Sequence, residues 1–347
     1  MSVCISALDP QASEVAASAL AQGQLLGLPT ETVYGLAADA ANAQAVANIF
    51  AAKGRPANHP LIVHVAPCNN RQAWQQLLGQ LCVEVPQAAW LLIDAFWPGP
   101  LTLILQRLPG VCEAAAGGQP TIGIRCPAHP VAQQVLRAAA AKGVLGVAAP
   151  SANRFGRVSP TTAAHVQSEF EHVRIGGAPL QLLVVDGGPC DVGIESAIVD
   201  LSQGQPTLLR PGALSHAQLA HVLGTSLALP HAHSPQVSGS LASHYAPTAR
   251  VLVASEQALL QAAAHGDIAP DDAVYASQAV LQACGNAAAR QRLMANSPAA
   301  CAHELFAHMR ELDDTGATRM WVQAPPCGGP HASEWDGVRD RLQRASA

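Results

Sequence analysis

Leu28-Pro-Thr-Glu-Thr-Val-Tyr-Gly-Leu-Ala-Ala-Asp39 is the stretch on which the fold turns. It follows an apolar run at residues 25–28 that reads as a buried strand, and it breaks at Pro29 into hydroxyls, a carboxylate and a glycine. A strand that ends in small polar groups is where α/β proteins place ligands. Beyond it Ala45, Val46, Ile49 and Phe50 recur at helical spacing, and the helix they predict ends where Lys53-Gly-Arg55-Pro56 begins. Hydroxyls at one end and two cations at the other suggest an anion-binding cradle. Of 19 basic residues just Lys53 and Lys142 are lysines, and a compact ammonium beside a planar guanidinium suits a site better than background usage. The competing reading is a solvated helix end whose cations complement the dipole.

A chain of 347 residues accommodates one large or two ordinary domains. Charged residues are 12% and the mean hydropathy is +0.18. The longest apolar candidate, residues 88–97, is nevertheless broken by Asp94 and closed by Pro98, short of a membrane span. A soluble protein without a membrane partner is expected. The first ten residues carry Asp9 and no cation, unlike a secretory leader. Nine cysteines form no C-x-x-C pair and read as small core residues or free thiols of a reducing cytoplasm. A net charge of −5 argues against a constitutive nucleic-acid coat, though not against a local basic pocket.

Farther along, Leu61-Ile-Val-His64-Val-Ala is a second buried strand, interrupted by a histidine that such strands most often hold by simple hydrogen bonding. Helices are predicted at about 71–81 and 86–96, and Trp97-Pro-Gly-Pro100 turns into a strand at 101–105. The strand Thr121-Ile-Gly-Ile-Arg125 closes on a cation that needs an anionic partner, a carboxylate either of the protein or of a substrate. A helix at about 129–141 leads to a strand at 144–149, which ends in Pro150-Ser-Ala-Asn153-Arg-Phe-Gly156-Arg-Val-Ser159-Pro160-Thr161. Ser151 and Asn153 have no structural reason to sit there and are candidate ligand contacts. Ser159 before Pro160 has the form of an N-cap, opening a helix through Ala164, Val166 and Phe170 whose free N–H groups suit a phosphate.

Apolar runs at 182–186 and 207–210, with Arg210 closing the second, complete this half. Residues 227–243 then shift to Pro, His, Ser and Gly and read as a linker. Its His231-Ala-His233 lacks a third ligand, and no metal site is expected. After Ser243-His-Tyr245-Ala-Pro247, strands at 250–254, 273–275 and 319–323 alternate with helices at 256–264, 299–312 and 334–343, as in a small parallel α/β domain. The expected division is 1–226, a linker at 227–248, and 249–347. Walker, dinucleotide, nucleophile-elbow and H-E-x-x-H motifs are all absent from the sequence, which points to charge neutralisation rather than a covalent nucleophile.

PTETVYGL, KGRP with HPLIVHV after it, WPGPLT, TIGIRCP, PSANRFGRVSPT, GIESAIVDL and LLRPG, in this order, resemble the YrdC-like family. SHYAP with the added domain is similar to its long form, the threonylcarbamoyl-AMP synthases with a C-terminal domain. The resemblance implies an α/β fold, a YrdC-like twisted mixed sheet with flanking helices plus a Rossmann-like C-terminal domain. It implies a nucleotidyltransferase of the cytoplasm that makes threonylcarbamoyl-adenylate and pyrophosphate from L-threonine, bicarbonate and ATP, with Mg²⁺ accompanying ATP. The product would serve a downstream transferase complex that modifies tRNA beside the anticodon, while tRNA binding by this chain stays open. By position in the motifs, Thr32, His64, Arg125, Ser151 and Ser196 would contact threonine. Lys53, Arg55, His59, Thr121, Ala149, Ser151, Asn153, Ser159, Arg210 and Tyr245 would contact ATP, and Lys53, Arg55, Ser151 and Asn153 form the polar quartet assigned to catalysis. His59 stands where many members have Asn, and Ala197 where Thr is usual. Tyr245 implies a linker that folds over the nucleotide as a lid. One alternative, a carbamoyl-adenylate-forming hydrogenase-maturation enzyme, carries an acylphosphatase-like region and zinc-binding C-x-x-C pairs that this sequence lacks. The other, a non-catalytic RNA-binding module, fits poorly with the negative net charge.

Overall fold

The computed structural model describes residues 2–239, 241–285, 290–329 and 331–347. Ten strands form one mixed sheet in the order Ser2–Ser6, Leu182–Asp186, Leu26–Leu28, Gly35–Asp39, Val147–Ala148, Ile62–His64, Thr121–Arg125, Leu101–Gln106, Ala197–Asp200 and Thr207–Arg210. The first three run parallel, as do Ile62–His64 with Thr121–Arg125 and Leu101–Gln106 with Ala197–Asp200; the remaining pairings are antiparallel. The turn at 29–34 therefore hangs between two central antiparallel strands, which lifts its hydroxyls to one end of the sheet.

Helix Ala43–Lys53 shows why the cations lie where they do. Asn42 caps its start by accepting from the Ala45 amide, and Gly54, at φ 64°, ends it in a left-handed turn that a side chain would strain. The reversal folds Lys53 inward, 2% exposed, instead of leaving it in solvent. The solvated-helix-end reading is thereby excluded.

The second predicted helix start is corrected. Helix Ala163–Phe170 begins three residues after Pro160, capped by Thr162, whose hydroxyl accepts from the His165 amide. The Pro160 and Thr161 carbonyls accept from Tyr34 and Cys190 instead, and these tertiary bonds hold the segment out of the helix. Ser159 is thus not an N-cap.

Strands Arg250–Ala254, Arg319–Gln323, Ala273–Ala276 and Gln291–Leu293 form a second, wholly parallel sheet in that order, as the alternation predicts. The first core runs past 226, since Leu227 is buried in it and Ala228 pairs with Thr207. A second core crosses between the domains, packing Val33, Val158 and Ile194 against Phe306, Val338 and Leu342. Elements not anticipated are strands Ser2–Ser6, Gly35–Asp39, Arg174–Ile175, Ala178–Pro179 and Gln291–Leu293, and helices Ala12–Ala21, His216–Leu223 and Gln278–Cys284. All are short or alanine-rich, with little periodicity to read.

Candidate active site

The register of Ile62–His64 against Thr121–Arg125 sets His64 beside Arg125. With the 29–35 turn and residues 149–151 these side chains wall a cavity of about 30 Å³. Arg125 donates from Nε to the Gly99 carbonyl at 3.2 Å and from Nη1 to Thr32 Oγ1 at 2.8 Å. Its Nη2 lies 2.6 Å from Glu31 Oε1, so the protein itself supplies a carboxylate to this buried cation. The approach lacks hydrogen-bond geometry, and Nη2 and both Glu31 oxygens remain without a hydrogen-bond partner. Thr30 fixes the turn by donating to the Val33 carbonyl at 2.7 Å, with its oxygen 2.9 Å from that of Thr32. Burial, reinforced by the charge of Arg125, pushes His64 down to about 3, so its imidazole is neutral at pH 7.

Lys53 Nζ donates to the main-chain carbonyls of Ser151, 2.6 Å away, and Asn153. Phe155 N returns a bond to the Lys53 carbonyl at 2.8 Å, so helix end and loop hold each other. Burial, with the charge of Arg55 second, keeps the ammonium well below the ordinary lysine range. Asn153 donates from Nδ2 to the carbonyls of Arg154 and Arg157 at 2.7 and 2.9 Å, a structural role the sequence did not reveal, and its Oδ1 is left unpaired. Arg55 donates to the Pro60 carbonyl at 3.0 Å and to Ser238 Oγ at 3.4 Å, and burial lowers it to about 10. With His59, Phe155, Val237, Gly239 and His244 it lines a second cavity of about 150 Å³.

Between the two cavities lies the linker. Gln119 and Gln236 exchange hydrogen bonds of 3.1 and 3.0 Å at one end of it, and Val237 packs on Ile104, Ile198 and Leu209 of the sheet. Arg210 donates from Nε and Nη2 to the Ser196 carbonyl at 3.1 and 2.9 Å, and from Nη1 to the Ser238 carbonyl at 2.7 Å. Ser196 Oγ lies 2.8 Å from Thr102 Oγ1. Gly239 adopts φ 76° where a Cβ would stand 2.3 Å from the Tyr245 hydroxyl and 2.9 Å from Arg210 Nη1. Tyr245, itself at φ 63°, stacks on Phe306 at 5.5 Å with the Arg341 guanidinium 5.2 Å from its ring. Sites for drug-sized ligands run to roughly 300–1,000 Å³. Both cavities fall short of that range with the linker in this position.

Among the described residues, buried side-chain polar atoms without a partner fall on Glu31, Arg55, His64, Arg125, Asn153, His244, Tyr245 and His308. All but His308 gather around this cradle. Burying such atoms unpaired is costly and rare, and their concentration in one place marks a binding site. Guanidinium groups, hydroxyls and a neutral imidazole can hold a polyanion next to a small carboxylate. No group of three or more His, Cys, Asp or Glu among the described residues is placed to hold a metal ion.

A family model described as telomere recombination, Sua5/YciO/YrdC, matches residues 18–212, and one described as the threonylcarbamoyl-AMP synthase C-terminal domain matches residues 214–347. The chain belongs to the Sua5/YciO/YrdC family. Within it, the threonylcarbamoyl-AMP synthase of Pyrococcus abyssi is 39% identical over 244 residues, 69% of this chain and 66% of that protein. The Bacillus subtilis enzyme of the same name is 39% identical over 254 residues, 72% of this chain and 68% of its own. Sequence similarity thus spans about two thirds of each relative's length. The structure of P. abyssi Sua5 complexed with L-threonine matches with a TM-score of 0.83 at 30% identity, over 100% of this chain and 97% of that one. The expected architecture, a large mixed sheet with a parallel C-terminal domain, is the fold of this Sua5 structure.

Of the residues singled out from the family's motifs, Thr32, His64, Arg125, Ala149, Ser151, Arg210 and Tyr245 line the first cavity, and Arg55 and His59 line the second. Lys53 and Asn153 lie beneath, as supports of the 151–157 loop. Ser196 sits behind Arg210, and the Ser159 hydroxyl donates to Glu195 Oε1. Thr121 stands at the opposite end of its strand from Arg125, roughly 13 Å away at the usual rise per residue. Glu31 and Glu195, buried at the site, carried one signal in the sequence, a carboxylate amid apolar and hydroxyl neighbours, and His244 carried none beyond its place in SHYAP. Arg341, distant in sequence, gave none.

Proposed function

We propose that this chain catalyses the reaction for which its relatives are named, as an ATP-dependent nucleotidyltransferase that joins L-threonine, bicarbonate and ATP into threonylcarbamoyl-adenylate and pyrophosphate. The observation that carries this reading is the ring of unpaired buried polar atoms around Arg125, Arg55 and Tyr245, which two ligands of opposite demands would satisfy. Threonine's carboxylate takes the place of Glu31 at Nη2 of Arg125, and its side chain meets the Thr32 hydroxyl, with Ser196 behind Arg210. His64, neutral, adds no positive charge against threonine's ammonium group. ATP lies toward Arg55, Arg210 and the loop that Lys53 secures, with Tyr245 above it. Ser151, the loop residue at the first cavity's wall, lies where the two ligands meet.

The threonine amine, once deprotonated, adds to CO₂ derived from bicarbonate. A carbamate oxygen then attacks the α-phosphorus, and the bond to pyrophosphate breaks. Arg55 and Arg210 neutralise the charge that moves onto the leaving group. Mg²⁺ would accompany ATP as its counter-ion and add charge neutralisation at the phosphates. The linker, whose residues 227 and 228 stay with the catalytic unit, serves as the lid up to 248 ahead of a supporting domain at 249–347, and it excludes water from the mixed anhydride. The adenylate then passes to a tRNA-modifying transferase in the cytoplasm. No helix among the described residues is long and apolar enough to cross a membrane.

Pyrophosphate release, measured with threonine, bicarbonate and ATP each omitted in turn, tests the reading. Dependence on all three is expected. Release that continues without threonine or bicarbonate would refute it.

A further inference from the structure

Helix Asp336–Ala345 delivers a guanidinium into the catalytic unit. Arg341, with its side chain 0% exposed, donates from Nε to Glu195 Oε2 at 2.8 Å, from Nη2 to the Glu195 carbonyl at 3.2 Å and from Nη1 to the Pro211 carbonyl at 2.9 Å. The approach is close because Gly337 stands where a Cβ would lie 2.6 Å from the Gly212 carbonyl oxygen. Glu195 immediately precedes Ser196, the residue that Arg210 grips by its carbonyl. A buried ion pair contributes little net stability, but removing one partner leaves a desolvated charge that its surroundings must answer. The other guanidinium whose charge acts on Glu195 is Arg210, which borders the first cavity.

We propose that Arg341 is a positioning residue of the catalytic site: by neutralising Glu195 it keeps Arg210 on the Ser196 and Ser238 carbonyls with its charge available to the nucleotide's phosphates, which links ATP affinity to the seating of the C-terminal domain. The inference rests on the function proposed above. The groups that face Glu195 are Arg341, with Asp340 beside it, from the last helix; Arg210 from strand Thr207–Arg210; His244 and Tyr245 from the linker; Lys53 from its helix; and the Ser159 hydroxyl. Burial pushes the Glu195 carboxyl up, yet Arg341, Arg210 and Ser159 together hold it below the ordinary glutamate range. Without Arg341, the Glu195 charge would attract Arg210 and repel phosphate.

The test uses full-length Arg341→Met, Arg341→Lys and the double variant Glu195→Gln/Arg341→Met. KM for ATP and kcat are followed by pyrophosphate release over roughly pH 6 to 9, with thermal melting alongside. Arg341→Met should raise KM for ATP at least about tenfold, more at high pH, where Glu195 is ionised, with a smaller change in kcat. The double variant should return KM to within about threefold of wild type and lose the pH dependence. Arg341→Lys, which loses the same fork but keeps the charge, should stay near wild-type KM even if it melts earlier. The proposal is overturned if Arg341→Met lowers melting but leaves KM within about twofold, or if the double variant is no better than the single. Failure of wild type to require all three substrates would instead overturn the functional reading itself.

Discussion

Replacing Tyr245 by Phe separates folding from function at one atom. The tyrosine is 1% exposed, and its hydroxyl has no partner, though its ring is stacked on Phe306 and covered by Arg341. Phenylalanine keeps those ring contacts and removes a buried unsatisfied oxygen, whose desolvation costs about 1–3 kcal/mol. Stability should therefore stay level or rise, with melting unchanged or a few degrees higher. If the hydroxyl finds its partner in a nucleotide phosphate, that bond is worth about 1.5–3 kcal/mol, and its loss weakens ATP binding roughly ten- to hundredfold. The assay pairs scanning fluorimetry with KM for ATP from pyrophosphate release. A KM within about twofold of wild type, or a clear fall in melting temperature, would show that the hydroxyl serves the fold rather than the ligand. Tyr245→Ala is less informative, since losing the ring costs about 3–5 kcal/mol in packing alone.

Gly239→Ala places a methyl 2.3 Å from the Tyr245 hydroxyl at a positive φ, so it should displace the linker and abolish adenylate formation while the C-terminal domain keeps its fold; retained activity would argue against a fixed linker path. His64 titrates near 3 in the folded chain against an ordinary 6.5, so the unfolded chain binds the extra proton and stability should fall as pH drops from 6.5 toward 3. His64→Gln should flatten that acid limb in urea titrations, and an unchanged slope would assign the loss to other groups. Lys53→Met removes the donor from the Ser151 and Asn153 carbonyls, so the 151–157 loop should become open to limited proteolysis and activity should drop at least about tenfold; a loop as resistant as wild type would deny Lys53 its supporting role.

Much of this protein could be read from its residues because the informative signals are local. Strand ends marked by a sudden polar residue, such as Arg125 and Arg210, survive in any packing, since an apolar run fixes burial and the terminal cation must then be answered nearby. Helix Ala43–Lys53 and the parallel alternation after 250 follow from periodicity in the same way. Ser159 shows the limit. The sequence of an N-cap was present, but tertiary bonds from Tyr34 and Cys190 claimed the next two carbonyls and moved the helix start to Thr162.

By itself the sequence determined the family, through motifs in a fixed order, and pointed to a strand-end cradle, because a polar residue closing an apolar run is legible at short spacing. The tertiary structure alone decided which charges are spent on the protein and which remain for a ligand. Lys53 is committed to two carbonyls, Arg125 leans on Glu31, and Glu195 is neutralised from 146 residues away by Arg341. Such pairings are set by distance through space in a low-dielectric interior, which no local pattern along the chain encodes.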